Sequence, residues 1–343
     1  MWEMIIISSI KVVVVLAAVL TGCAYSTYLE RKLVGHIQHR IGPSYAGPYG
    51  LLQPLADALK LIFKEDIVPD KVERITYAIA PAISFVPALL TFAVIPFGMD
   101  MTIFGREIPM ILSDLNIGVL FIFAITSLGV YGIVLAGWSS GSKYSLLGGV
   151  RSSAQMISYE VGYGLSIIGV ILIANTLSLR ELVMIQTGPL WGVVPVLPNW
   201  FVFSQPLGFL LYLTAAIAET NRLPFDMPEA ESELVAGYLT EYSSMRFSMF
   251  FIGEYANMIA VASVGTVLFF GGWHGPFVES VPLLGFLYFI IKIFLFMCFY
   301  VWLRGTFPRF RYDQLMAFGW KVLFPLALFN TMVTALLVQL GVF

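Results

Sequence analysis

Carboxylates are the residues of this 343-residue chain whose grouping suggests chemistry. Between Glu219 and Arg246 six acids (Glu219, Asp226, Glu229, Glu231, Glu233 and Glu241) face two bases, Arg222 and Arg246. Crowded carboxylates raise one another's proton affinity, so some keep or share protons near neutral pH and the group titrates as a unit. The same composition also fits a solvated face that docks a basic partner. Glu160, Glu254 and Lys292 shift the balance, because each lies inside a long apolar stretch. A charge within a bilayer is costly unless paired or hydrated, which makes such residues functional candidates, with an inert buried Glu–Lys pair as the alternative. Lys11, near the end of its stretch, is expected to snorkel.

A second candidate region runs from Glu30 to Arg74. Within it Leu51, Leu55, Leu59 and Ile62 recur at helical spacing, with Lys60 and Lys64 beside them. About 14 residues are too few to span a bilayer but suit a helix lying in its interface, basic side chains on lipid phosphates. Such a helix anchors the loop, and it also stands where a lipid-soluble substrate would enter a bundle. Arg31, His36, His39 and Arg40 cluster before the Gly42-Pro43 turn; a histidine pair three apart is more simply a solvated pair or helix cap than a metal site.

The elements that must position these groups follow from composition. With 59% hydrophobic and 12% charged residues and a mean hydropathy of +0.86, the chain has more apolar surface than a soluble core could hide. Eight stretches near 4–29, 75–97, 117–138, 153–174, 201–218, 248–272, 281–303 and 318–341 have the roughly 20-residue length of membrane-spanning helices. The expectation is an all-α bundle of eight transmembrane helices with one interfacial amphipathic helix, in a single domain over 1–343. The loops after the first, third, fifth and seventh stretches carry 15 of the 19 basic residues, whereas the opposite loops carry Arg106 and Arg180. By the positive-inside rule the acidic loop faces the cytoplasm and both termini face outward. The net charge of −2 gives no sign of a nucleic-acid partner. Cys23 and Cys298 sit in separate apolar stretches without a CxxC pair, so no metal or iron–sulfur site is expected. Leu20-Thr21-Gly22-Cys23 matches a lipoprotein processing box, but the residues before Lys11 lack a basic leader, so the first span is expected to stay uncut.

Several motifs carry a family resemblance: Glu30-Arg31-Lys32, Gln38 through Pro43, Gly50 through Glu65, Gly137-Trp138-Ser139-Ser140, Gln155 through Glu160, Ala218 through Gly237, and Pro308 through Gln314. Together they resemble the H subunit of bacterial NADH:quinone oxidoreductase, respiratory complex I, whose mitochondrial counterpart is the first NADH dehydrogenase subunit. The likeness runs from the first span to the last.

The resemblance implies a membrane subunit of the proton-translocating complex, in the bacterial inner membrane at the junction of its membrane and peripheral arms. A quinone substrate would enter from the bilayer between the first span, the interfacial helix and the sixth span, its headgroup reduced against peripheral subunits. Arg31, Arg40, Phe225 and Asp226 match positions near the quinone chamber, and Ala46 and Ala58 are placed along the opening for its tail. Asp57, Glu160, Glu219, Glu229, Glu231, Glu233 and Glu254 match the family's hydrated carboxylate path, to which Lys292 is added as an intramembrane charge. The chain itself would bind no NADH, flavin or cluster; FMN and iron–sulfur clusters would belong to partner subunits, and membrane lipid is a further partner. The equivalent subunit of an energy-converting hydrogenase or of another quinone-linked dehydrogenase is an alternative. A self-contained secondary transporter is another, although no internal repeat supports it.

Overall fold

The computed structural model describes residues 2–103, 105–190, 194–227 and 235–342. Helix α1 (Trp2–Ile37) is followed by the short α2 (Gln53–Phe63), then α3 (Arg74–Leu90), α4 (Gly118–Ser139) and α5 (Lys143–Ala174). After them come α6 (Leu179–Ile185), α7 (Phe201–Ser204), α8 (Pro206–Glu219), α9 (Ser244–Phe269), α10 (Pro282–Thr306), α11 (Tyr312–Phe318) and α12 (Phe324–Gln339). Two small antiparallel hairpins, Met101–Ile103 with Arg106–Ile108 and Pro189–Leu190 with Val194–Pro198, lie in the sparsely charged loops. The architecture is a helical membrane bundle.

Among the described residues seven helices are long and apolar enough to cross a membrane by themselves, and the fifth expected stretch departs from its expected form. Residues 201–218 do not form one continuous helix. Gln205 leaves helical geometry (φ −131°, ψ 56°) and Pro206 starts a new helix, so α8 keeps only 14 residues, about 21 Å at 1.5 Å per residue. Hydropathy registers the apolar run but not the break. The fourth span errs the other way, beginning at Lys143 rather than 153. Its polar first turns are helical because they pack on protein: Gly148 lies so close to Gly237 that a Cβ there would meet backbone at 2.5 Å. In the last span α11 and α12 are joined by a π-helical turn, Gly319–Leu323, with Gly319 against the Tyr159 ring.

Helix α5 is central, touching α4, α8 and α12, while α9 packs on α1, α3 and α10. The core between α5, α8 and α9 holds Tyr163, Tyr212, Met258 and Phe269. Its hydroxyls are satisfied internally: Tyr163 donates to Tyr212 (3.2 Å), and Tyr212 donates to the carbonyl of Val261 (2.6 Å). The periphery is apolar too, with Val13, Leu287, Leu295, Phe329 and Met332 exposed, as lipid-facing positions require. Helix α2 forms as its pattern predicts. Leu55, Leu59 and Ile62 are exposed on it, and the helix touches α1 and α9.

Candidate functional site

The site is built around the irregular segment that follows α8. Since α8 covers only about 21 Å of a hydrocarbon layer near 30 Å, the segment begins inside the bundle. Asn221 turns the chain with a left-handed backbone (φ 51°), a conformation asparagine tolerates better than most residues. Thr220, Asn221, Arg222, Phe225, Asp226 and Met227 are all buried. Non-helical backbone is tolerated at such depth only when protein or a polar cavity covers it. Here Gln155 of α5 donates to the carbonyls of Ala218 (2.8 Å) and Phe225 (2.6 Å). Arg309 pairs with Asp226 at 3.0 Å. The Phe225 ring stacks on Phe310 and Phe318, with centroids 5.7 and 6.3 Å away, and tilts against Tyr159.

Arg222 is the centre of the electrostatics. Its side chain, 5% exposed, lies 2.7 Å from a carboxylate oxygen of Glu254 and 3.3 Å from one of Glu30. Its guanidinium also sits 4.3 Å over the Tyr255 ring. Glu30 is held in addition by Arg304 at 2.6 Å and by the Tyr255 hydroxyl, which donates at 2.8 Å. Four helices or segments thus contribute one charge cluster: α1 gives Glu30, the irregular segment Arg222, α9 Glu254 and Tyr255, and α10 Arg304.

Cavities lie on both sides of this cluster. On one side a cavity of about 520 Å³ is lined by Glu30, Arg31, Arg40, Leu223 and Arg304, and a neighbouring one of about 400 Å³ by Glu30, Arg31, Leu239, Tyr255 and Arg304. Both fall in the range of small-molecule sites, roughly 300–1,000 Å³. On the other side a cavity of about 50 Å³ is lined by Glu219, Asn221, Glu254, Asn257 and Thr126. Three buried oxygens in its wall, one each from Glu219, Asn221 and Asn257, accept no hydrogen bond from the described residues. Buried acceptors of this kind are normally satisfied by ordered water, for which the volume suffices. Beyond it Glu160 accepts from the Ser127 hydroxyl and is within electrostatic reach of Glu219.

The expected site residues therefore divide. Glu160, Glu219 and Glu254 are brought together, and Arg31 and Arg40 line the larger cavity. Phe225 and Asp226 stand behind Leu223 in the buried segment. Asp57 is held apart: it pairs with Arg31 at 2.7 Å and accepts from Gln53, between α1 and α2. Ala58 is exposed on α2 and Ala46 half-buried in the preceding turn. Lys292 meets three carbonyls, of Phe270, Gly272 and His274, at 2.7–2.9 Å and lies 4.9 Å from the Trp200 ring. It closes the far end of α9 rather than pairing with a glutamate. Glu229, Glu231 and Glu233 lie outside the described residues. The Glu219–Arg246 stretch does not begin as a solvated loop, since its described part through Met227 is mostly interior.

Sequence reading missed Glu30, Arg222, Arg304, Tyr255 and Gln155 as members of the site. Glu30 reads as part of a charged span end and the two arginines as topology signals. What marks them is an ion-pair geometry that only the packed helices create.

Comparison with known proteins identifies the family. The NADH dehydrogenase family model matches residues 10–335. The H 2 subunit of the NADH-quinone oxidoreductase of Koribacter versatilis is 52% identical, covering 98% of each chain. The H subunit of the Thermomicrobium roseum enzyme is 51% identical over 99% of this chain and 98% of its own. The H 2 subunit from Geobacter metallireducens is 52% identical over 96% and 95%. The chain belongs to the NADH dehydrogenase family, among the H subunits of NADH-quinone oxidoreductase.

Proposed function

We propose that the chain is the membrane subunit through which a quinone enters a proton-translocating NADH:quinone oxidoreductase, and that it passes the charge of quinone reduction to buried carboxylates. The observation that carries this reading is the double engagement of Arg222. Glu30 lines the cavities of about 520 and 400 Å³, Glu254 lines the small polar one, and Arg222 touches both glutamates. Reducing a quinone takes two electrons and two protons, so a transient negative charge in the chamber acts on Arg222 and, through it, on Glu254. Glu219 and Glu160 extend the path away from the chamber. Arg31 and Arg40 are the cations that meet the quinone, while Ala46 and Ala58 border the opening beside α2. Asp57 and Lys292 act on this path only from a distance, Asp57 by holding Arg31.

In this reading both chain termini lie on the periplasmic side and the charged loops meet the peripheral arm in the cytoplasm. FMN and the iron–sulfur clusters belong to partner subunits there. The equivalent subunit of an energy-converting hydrogenase gains no support from the relatives, which are H subunits of the NADH-linked enzyme.

The test uses membrane vesicles. Glu160→Gln and Glu219→Gln each lower quinone-linked NADH oxidation and proton pumping, while NADH oxidation by ferricyanide, which bypasses the quinone site, stays normal. The double variant loses much less than the product of the single losses, as parts of one unit do. Normal pumping by both single variants at full assembly would show the carboxylates to be structural.

A further inference from the structure

A cavity of about 930 Å³ lies at the end of the bundle opposite the charged loops, away from the site above. It follows α1 from Ile6 to Val19 and is closed by residues 108–112 with Phe97 and Phe286. Among the described residues its lining is apolar except for Lys11. Ile6, Ile10 and Val14 remain 56–59% exposed, so the cavity is an open groove.

We propose that this groove holds a glycerophospholipid of the adjacent leaflet, one acyl chain along α1 and the phosphate at Lys11. Three observations carry the assignment. First, Ile6 to Val19 spans thirteen residues, about 20 Å at 1.5 Å per residue, close to the depth of one leaflet with its headgroups. Second, Lys11 and Glu30 are nineteen residues apart on one helix, about 29 Å, which matches the hydrocarbon thickness. With Glu30, Arg31 and Lys32 at one boundary, Lys11 stands at the other, where phosphates lie. Third, the Lys11 ammonium gives one hydrogen bond to the carbonyl of Pro109 (2.7 Å), and an ammonium has three to give. Nearby Asp100 is engaged by Arg180. A partner's transmembrane helix in the groove would set an apolar ridge against this charge, and a quinone tail would bring no anion to it; a phospholipid supplies both chain and phosphate.

The experiment applies phosphatidylglycerol bearing a photoreactive group midway along one acyl chain, and a diacylglycerol bearing the same group, to membranes holding the intact complex. Phosphatidylglycerol is expected to label peptides 6–19 and 108–112, and diacylglycerol to label them about fivefold less or weaker still. Ala18→Trp fills the groove and removes the labelling at unchanged subunit content and ferricyanide activity. Lys11→Leu brings the two probes to equal labelling. Equal labelling by both probes in the unaltered protein, or labelling unaffected by Ala18→Trp, would overturn the proposal, as would a crosslink from this groove to another subunit's helix. The comparison of probes needs no variant, so it holds even where a substitution prevents assembly.

Discussion

Replacing Arg222 by glutamine tests the charge bridge most directly. The substitution removes a guanidinium 2.7 Å from Glu254 and 3.3 Å from Glu30 without opening a large void. With charge centres about 4 Å apart and an effective dielectric near 20, each pairing is worth ~4 kcal/mol. Breaking a buried pair typically costs ~3–5 kcal/mol, because a charge is left in a poorly solvated place. Glu30 keeps Arg304 and Tyr255, so its share is small and the loss concentrates on Glu254. We expect Arg222→Gln to cost ~3 kcal/mol, about a hundredfold in the equilibrium between assembled and unfolded subunit. Removing the stranded charge as well, in Arg222→Gln with Glu254→Gln, should return at least ~1–2 kcal/mol of that loss. The assay is a thermal series on the detergent-solubilised complex, scoring by native gel the fraction of chain still assembled, for both single variants and the double. A strictly additive double variant would refute the bridge, since groups that share an ion pair cannot act independently.

Gln155→Leu removes one donor from each of the carbonyls of Ala218 and Phe225, which keep the backbone N–H groups of Asn221 (3.4 Å) and Met227 (3.2 Å), and should cost ~1 kcal/mol for each lost bond; the same native-gel series reads it, and loss of quinone-linked activity should exceed loss of ferricyanide activity. Gly148→Ala should impair assembly, because a Cβ meets Gly237 backbone at 2.5 Å, whereas Gly129→Ala, with nothing within 4 Å, should assemble normally. Burial and the neighbouring Lys292 hold the His274 imidazole below its ordinary value near 6.5, against a weaker opposing pull from Glu279. The unfolded chain then binds the extra proton first, so stability falls as pH drops through 6.5, and His274→Gln should flatten that slope in thermal inactivation of the complex. In intact cells Glu107→Cys, in a background lacking Cys23 and Cys298, should react with an impermeant thiol reagent, and Lys143→Cys only after permeabilisation; the reverse would invert the topology.

The amino-acid sequence alone marks this as a membrane protein, because about twenty apolar residues in a row have no other stable environment, and its loop bases predict one orientation. It also determined α2, whose apolar residues at helical spacing form the helix locally. It placed Glu160 and Glu254 as charges within the spans, since an acid in an apolar run is visible without knowing its neighbours. It did not determine that 201–218 breaks at Gln205, as hydropathy averages over a kink made by one residue's backbone. Nor could it separate Asp57 from the inner glutamates or find Lys292 capping α9, because these depend on which helices touch. Only the tertiary structure decided that Arg222, read in sequence as one of two bases among six acids, stands between Glu30 and Glu254. The physical reason is distance: charge interactions inside a bundle depend on a few ångströms between side chains more than thirty residues apart, and helix packing alone sets those ångströms.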